Sequence, residues 1–120
     1  VSGEVQMQVT TEDIVYSTAL IDGNRAWMGS ADNSLTVVDL DRSVILRQID
    51  VGEKVHASPA LIGNTVYVGT SGGVLFGFDR VSMDLVAQYQ FPERITNAVA
   101  AAGNLLYVLA FDNRLWAIEV

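Results

Sequence analysis

The 120-residue chain carries 14 acidic against 7 basic side chains, a formal charge of −7, and half of its residues are hydrophobic. That is enough apolar material for one packed domain and too much for a disordered chain, while the acidic balance opposes a phosphate backbone, whose counterions must be displaced by Lys and Arg, and so disfavours nucleic acid as a partner. The lack of cysteine removes disulfides and thiolate metal sites without choosing a compartment, and no apolar run approaches the roughly 18 residues of a membrane span.

The chain opens at Val1-Ser2-Gly3 with no initiator Met and no signal-peptide pattern, as expected of a mature or excised chain. Residues 1–11 alternate Val5, Met7 and Val9 with Glu4, Gln6 and Gln8, the period-2 pattern of a half-exposed strand. They resemble residues 81–91: Val1 and Ser2 match Val81 and Ser82, Glu4 matches Asp84, and Gln8 matches Gln88. The pattern predicts the last strand of a repeated unit.

Residues 14–54 read as a full unit, with strands at 16–21, 25–29, 35–39 and 44–51 and turns at Asp22-Gly23-Asn24 and Asp32-Asn33. Asp-Gly and Asn-rich dipeptides between apolar runs mark tight hairpins, because they tolerate the positive φ of primed turns. Residues 55–94 repeat the pattern, with strands at 55–62, 65–69, 74–79 and 85–91 and turns at Gly63-Asn64 and Gly72-Gly73. Residues 95–120 hold three strands, 95–102, 105–110 and 114–119, turning at Gly103-Asn104 and Asp112-Asn113. The run Val99-Ala100-Ala101-Ala102 has a composition that suits helix, but its register in the repeat is that of an innermost strand, where small residues fit.

Ala26-Trp27-Met28-Gly29-Ser30, Val66-Tyr67-Val68-Gly69-Thr70 and Leu106-Tyr107-Val108-Leu109-Ala110 share one register, spaced by about 40 residues. A four-strand unit of this size cannot bury both of its faces and must stack on copies of itself. The expected fold is all-β: three four-stranded antiparallel blades of a partial β-propeller, with residues 1–13 giving the outer strand of a preceding or closing blade. Propellers have roughly four to eight blades, so three leave an arc. It is expected to be completed by the rest of a longer protein or by a second copy, two chains then making six blades.

Ser58-Pro59-Ala60-Leu61, Val66-Tyr67-Val68-Gly69-Thr70-Ser71-Gly72-Gly73 and Leu75-Phe76-Gly77-Phe78-Asp79 resemble the PQQ-like β-propeller repeat, known by its S-P-A, V-Y-V-G and L-Y-A-L-D segments. The resemblance covers essentially the whole chain in repeat length and strand order. The family includes quinoprotein dehydrogenases and also members without a cofactor, such as the outer-membrane assembly lipoprotein BamB and sensor ectodomains. Its usual A-x-T-G-K turn is replaced here by Leu40-Asp41-Arg42-Ser43 and Arg80-Val81-Ser82-Met83, and Arg47 and Ala87 stand where a tryptophan would dock neighbouring blades. The resemblance implies a BamB-like, cofactor-free branch in a periplasmic or extracellular setting.

Candidate chemistry is sparse. His56 is the only histidine and has no Cys or second His to form a metal site or triad. Asp39, Asp79 and Glu119 recur at the end of the third strand of each unit, which places them in different blades, where a short carboxylate caps turn amides. Residues 69–73 are glycine-rich but lack the Lys and helix of a phosphate cradle. Trp27, Tyr67 and Tyr107 share one register, and Phe76 and Trp116 another, as core between stacked sheets does.

The expected function is therefore a non-catalytic protein-interaction scaffold without cofactor or metal. A fragment of a PQQ-dependent dehydrogenase and a small-ligand-sensing ectodomain are the alternatives. Loops alternate ends in a meander, so the second-to-third turns share a face with the loops between units. On that acidic face Glu12, Asp13, Asp32, Glu53, Glu93, Arg94 and Asp112 are the candidate contacts for a protein partner.

Overall fold

The computed structural model describes residues 3–11, 15, 17–95, 99–110 and 114–120. It is all-β, with three antiparallel meanders. The first sheet is β1 (Leu20–Asp22), β2 (Arg25–Gly29), β3 (Ser34–Asp39) and β4 (Val44–Asp50). The second is β5 (Ala60–Ile62), β6 (Thr65–Gly69), β7 (Val74–Asp79) and β8 (Leu85–Gln90). The third has three strands, β9 (Ala100–Ala102), β10 (Leu105–Ala110) and β11 (Arg114–Glu119). These are the blades of a partial propeller, and Ala100–Ala102 is strand rather than helix.

Local sequence explains the turns. Gly23, Gly63 and Gly103 sit at φ 59°, 58° and 61°, each as the first residue of a two-residue hairpin, where a II′ turn needs positive φ. The third-to-fourth strand turns also need a left-handed residue, and here Ser43 (φ 57°) and Met83 (φ 66°) supply it, at the place where the A-x-T-G-K turn carries glycine. A bulge between Val37 and Val38 recurs between Gly77 and Phe78, so the blades repeat even in their irregularities.

Two corrections follow. The first strands of the first two units are shorter than their apolar runs at 16–21 and 55–62 predict. The loops that lead into the second and third units are held by the preceding blade: Val55 N donates to Ser30 O (3.5 Å) and Ile95 N to Thr70 O (2.9 Å). Residues 3–11 form no strand, despite their alternation. A strand exists through edge pairing, and the edge lacking a fourth strand, that of β11, belongs to the third sheet, whereas the segment leads into the first.

The core lies between sheets. Trp27, Leu35 and Val37 of blade 1 pack against Val55, Val66, Val68 and Phe78 of blade 2, and Tyr67, Leu75 and Phe91 of blade 2 pack against Ile95, Leu106 and Val108 of blade 3. Each fully buried side chain of this size contributes about 1.5–3 kcal/mol. Both joints are seated the same way: a Cβ on Gly29 would collide with Val55, and one on Gly69 with Ile95. Glycine here is a packing requirement, not a turn residue. Gly69→Val is expected to cost about 1–3 kcal/mol through overpacking, read as a lower midpoint in urea unfolding, whereas Gly103→Asn, where the space is open and only the positive φ opposes a side chain, is expected to lower the midpoint less.

Candidate functional site

The recurring carboxylates serve the fold. Asp39 Oδ1 accepts from the amides of Asp41 (2.9 Å) and Arg42 (3.0 Å), and Asp79 Oδ1 accepts from Val81 and Ser82, both at 2.9 Å. The amide of Ser82, then that of Val81, holds the Asp79 carboxyl below its ordinary value of 3.8. Glu119 accepts instead from Asn104 Nδ2 (3.4 Å). His56 is half-buried on the approach to β5. Among the described residues no three of His, Asp and Glu gather in a group that could hold a metal ion.

The predicted contact face divides. Asp32 is committed to its own turn, accepting from the amide of Ser34 (3.1 Å) and from its hydroxyl. Glu53 is half-buried and lies over Gly72, where a Cβ would strike its carboxylate. Glu93 and Arg94 are exposed in the loop between blades 2 and 3. Glu12, Asp13 and Asp112 lie outside the described residues. The structure thus places Glu53 and Glu93 in successive inter-blade loops on one end of the arc.

The opposite end holds a feature that the sequence reading missed. Arg80, in the β7–β8 turn, makes a bidentate pair with Asp22 at the end of β1, Nε to Oδ2 at 3.0 Å and Nη2 to Oδ1 at 2.6 Å. Arg25 Nη1 donates to the carbonyls of Arg80 (2.8 Å) and Val81 (2.9 Å). Arg47 Nη1 donates to Ser82 O (3.3 Å) and lies 3.9 Å from Asp84 Oδ1. Blade 1 therefore grips the third-to-fourth strand turn of blade 2 with two arginines and one aspartate. Arg47, at the docking-tryptophan position, still reaches the next blade, through charge instead of a ring. The usable signal was the arginine in that register. A cleft of about 250 Å³, lined by Asp22, Asn24, Arg25 and Arg80 among others, opens beside the pair.

A second surface is apolar. In blade 3, Leu106, Val108, Trp116 and Ile118 face blade 2, so Leu105, Tyr107, Leu109, Leu115 and Ala117 turn the other way. Leu115 is 67% exposed and Leu109 42%, whereas Trp27 and Tyr67, in register with Tyr107, are 0% and 6% exposed inside the two joints. At the other end of the arc the outward positions Ala26, Thr36 and Val38 are buried, although among the described residues no sheet lies beyond them. The two ends are unlike.

No family model and no curated protein sequence matches the chain. Solved structures do. BamB from Moraxella catarrhalis matches with a TM-score of 0.84 and 22% identity, over 97% of this chain and 38% of that one. Sqt1 from Saccharomyces cerevisiae matches at 0.80 and 13% identity, over 91% of this chain and 34% of that one. The chain thus spans little more than a third of either protein. The computationally designed Ika4 protein matches at 0.55 and 15% identity, over 98% and 99% of the two chains. At these identities the likeness establishes the propeller fold.

Two outcomes test the site's chemistry. Arg80→Ala strands the Asp22 carboxylate, whose side chain is 7% exposed, and is expected to cost about 1–3 kcal/mol; a double-mutant cycle with Asp22→Ala should recover most of it as coupling. Asp79 has a folded-state pKa below its unfolded value, so its contribution is complete above pH 3.8 and fades as pH falls through the lower folded value. Urea midpoints of the native chain and Asp79→Asn should differ at pH 7 and converge towards pH 2.

Proposed function

We propose that the chain is a segment of a β-propeller acting as a non-catalytic protein-interaction scaffold, its arc completed by further blades of the same polypeptide or of another chain. The observation that carries this reading is the blade 3 face. Tyr107, Leu109 and Leu115 occupy the positions that build both internal joints, yet among the described residues they meet no further blade, and an apolar sheet face of that kind belongs against another sheet. The likeness to the PQQ-like repeat supports a cofactor-free, BamB-like scaffold working outside the cytoplasm. The carboxylates at Asp39 and Asp79 are occupied by turn amides, which leaves them to the fold rather than to acid/base work.

The partner surface we assign is the end of the arc carrying Glu53 and Glu93, with Glu12, Asp13 and Asp112 as further acidic members by their place in the repeat. An acidic loop face on a rigid stack selects partners with a basic patch. A photo-crosslinking side chain at position 93 in the native cell should yield a defined protein adduct, and Glu53→Lys with Asp32→Lys should abolish it. An adduct indifferent to those reversals, or lost equally with Asp41→Lys on the opposite end, would overturn the assignment. Reconstitution with the quinone and calcium is expected to give no new absorbance and no dye reduction.

A further inference from the structure

We infer that the cleft beside Arg80 is a binding site for a single carboxylate, taken by the unengaged edge of the Arg25 guanidinium at the joint between blades 1 and 2. The site lies at the opposite end of the arc from the acidic loop face and does not depend on the scaffold reading.

The hydrogen bonds give the two arginines different duties. Arg80 commits the Nε and Nη2 edge of its guanidinium to Asp22, whose side chain is almost fully buried. Arg25 uses Nη1 alone, for the carbonyls of Arg80 and Val81. Its Nε and Nη2, the same edge that Arg80 turns on a carboxylate, bond to no described residue. No described carboxylate pairs with Arg25 either: Asp22, Asp39 and Asp84 pair with Arg80, Arg42 and Arg47. Arg25 is half-buried, and a half-buried cation with carbonyls but no anion beside it has charge left to offset.

The repeat shows that a joint does not need this charge. The carbonyls of Asn24, Asn64 and Asn104 accept from the amides of Leu40, Arg80 and Val120 in turn, so Arg80 is in register with Val120, Asp22 with Ile62, and Arg25 with Thr65. At the second joint Ile62 and Val120 pack against the apolar core. The same place in the first joint carries Asp22 and Arg80, with Arg25 added to them. Fastening two blades accounts for an ion pair there; it does not account for a second arginine whose fork is unengaged.

Size and charge select the ligand. At about 250 Å³ the cleft lies below the roughly 300–1,000 Å³ of sites that enclose a whole small molecule, so it takes one functional group. Asp22 offsets Arg80, which leaves one net positive charge, and Asp41 stands at the rim, accepting from Asn24 Nδ2 (3.3 Å). A planar monoanion matches the two parallel N–H groups of a guanidinium edge, whereas a phosphate monoester near neutral pH carries more negative charge than the cleft offsets. A carboxylate fits, whether borne on a side chain or chain end of a partner or on a free small acid.

Side-chain NMR of the 120-residue chain tests the site, because each arginine Nε–H gives its own signal. Titration with acetate is expected to move the Arg25 signal and to leave that of Arg80, engaged by Asp22, in place. Arg25→Lys keeps the charge and loses the fork, and should weaken acetate binding about tenfold, read at the Gly23 and Asn24 amides. Arg42→Gln, on an exposed neighbouring turn, should leave binding unchanged. A short peptide ending in glutamate that binds more tightly than acetate would assign the carboxylate to a partner chain, and equal binding would assign it to a free acid. An Arg25 signal that stays still, one that moves no more than that of Arg42, or one that inorganic phosphate moves at lower concentration than acetate would each overturn the inference. The titration of the native chain decides this even where Arg25→Lys loosens the joint.

Discussion

The contact on which the architecture depends is the seating of an inter-blade loop on a glycine of the preceding blade. Val55 lies where a Cβ on Gly29 would be, and Ile95 where one on Gly69 would be. The same loops donate an amide back to Ser30 and Thr70. A methyl-sized gap and one hydrogen bond thus bring each sheet within packing distance of the last, so that Trp27 or Tyr67 can fill the space between. Blade 3 carries Leu109 at the position of these two glycines.

Polar contacts add direction to that apolar seating. The grip of Asp22, Arg25 and Arg47 on residues 80–84 joins the far end of the blades from the glycine seats, so blades 1 and 2 are fastened at both ends. Buried apolar contact is indifferent to small rotations, whereas a bidentate guanidinium–carboxylate pair has a preferred plane. It sets the angle between two sheets in a way packing alone does not. In the second joint Ala87 stands where Arg47 does in the first, packing into the core between blades 2 and 3 instead.

Carboxylates that look like chemistry in a repeated sequence are consumed locally. Asp32, Asp39, Asp50 and Asp79 each accept from amides two or three residues on, which is why turns between strands can be so short. What repetition leaves exposed is its own loop ends and one blade face.

Sequence alone determined the strands, their antiparallel order, the hairpin glycines and the repeat, because alternation, turn φ and spacing are properties of a few neighbouring residues. It also gave the right role to Asp39 and Asp79, whose partners are adjacent. It read a blade's outer strand into residues 3–11, which form no strand here, and it overran the start of β1 and β5, since pairing depends on which edge is in reach. Only the tertiary structure decided that Gly29 and Gly69 are seats rather than turns, that Arg80 finds Asp22, and which face of blade 3 is left bare. Those outcomes join residues in different blades, and no local pattern records the distance between two sheets.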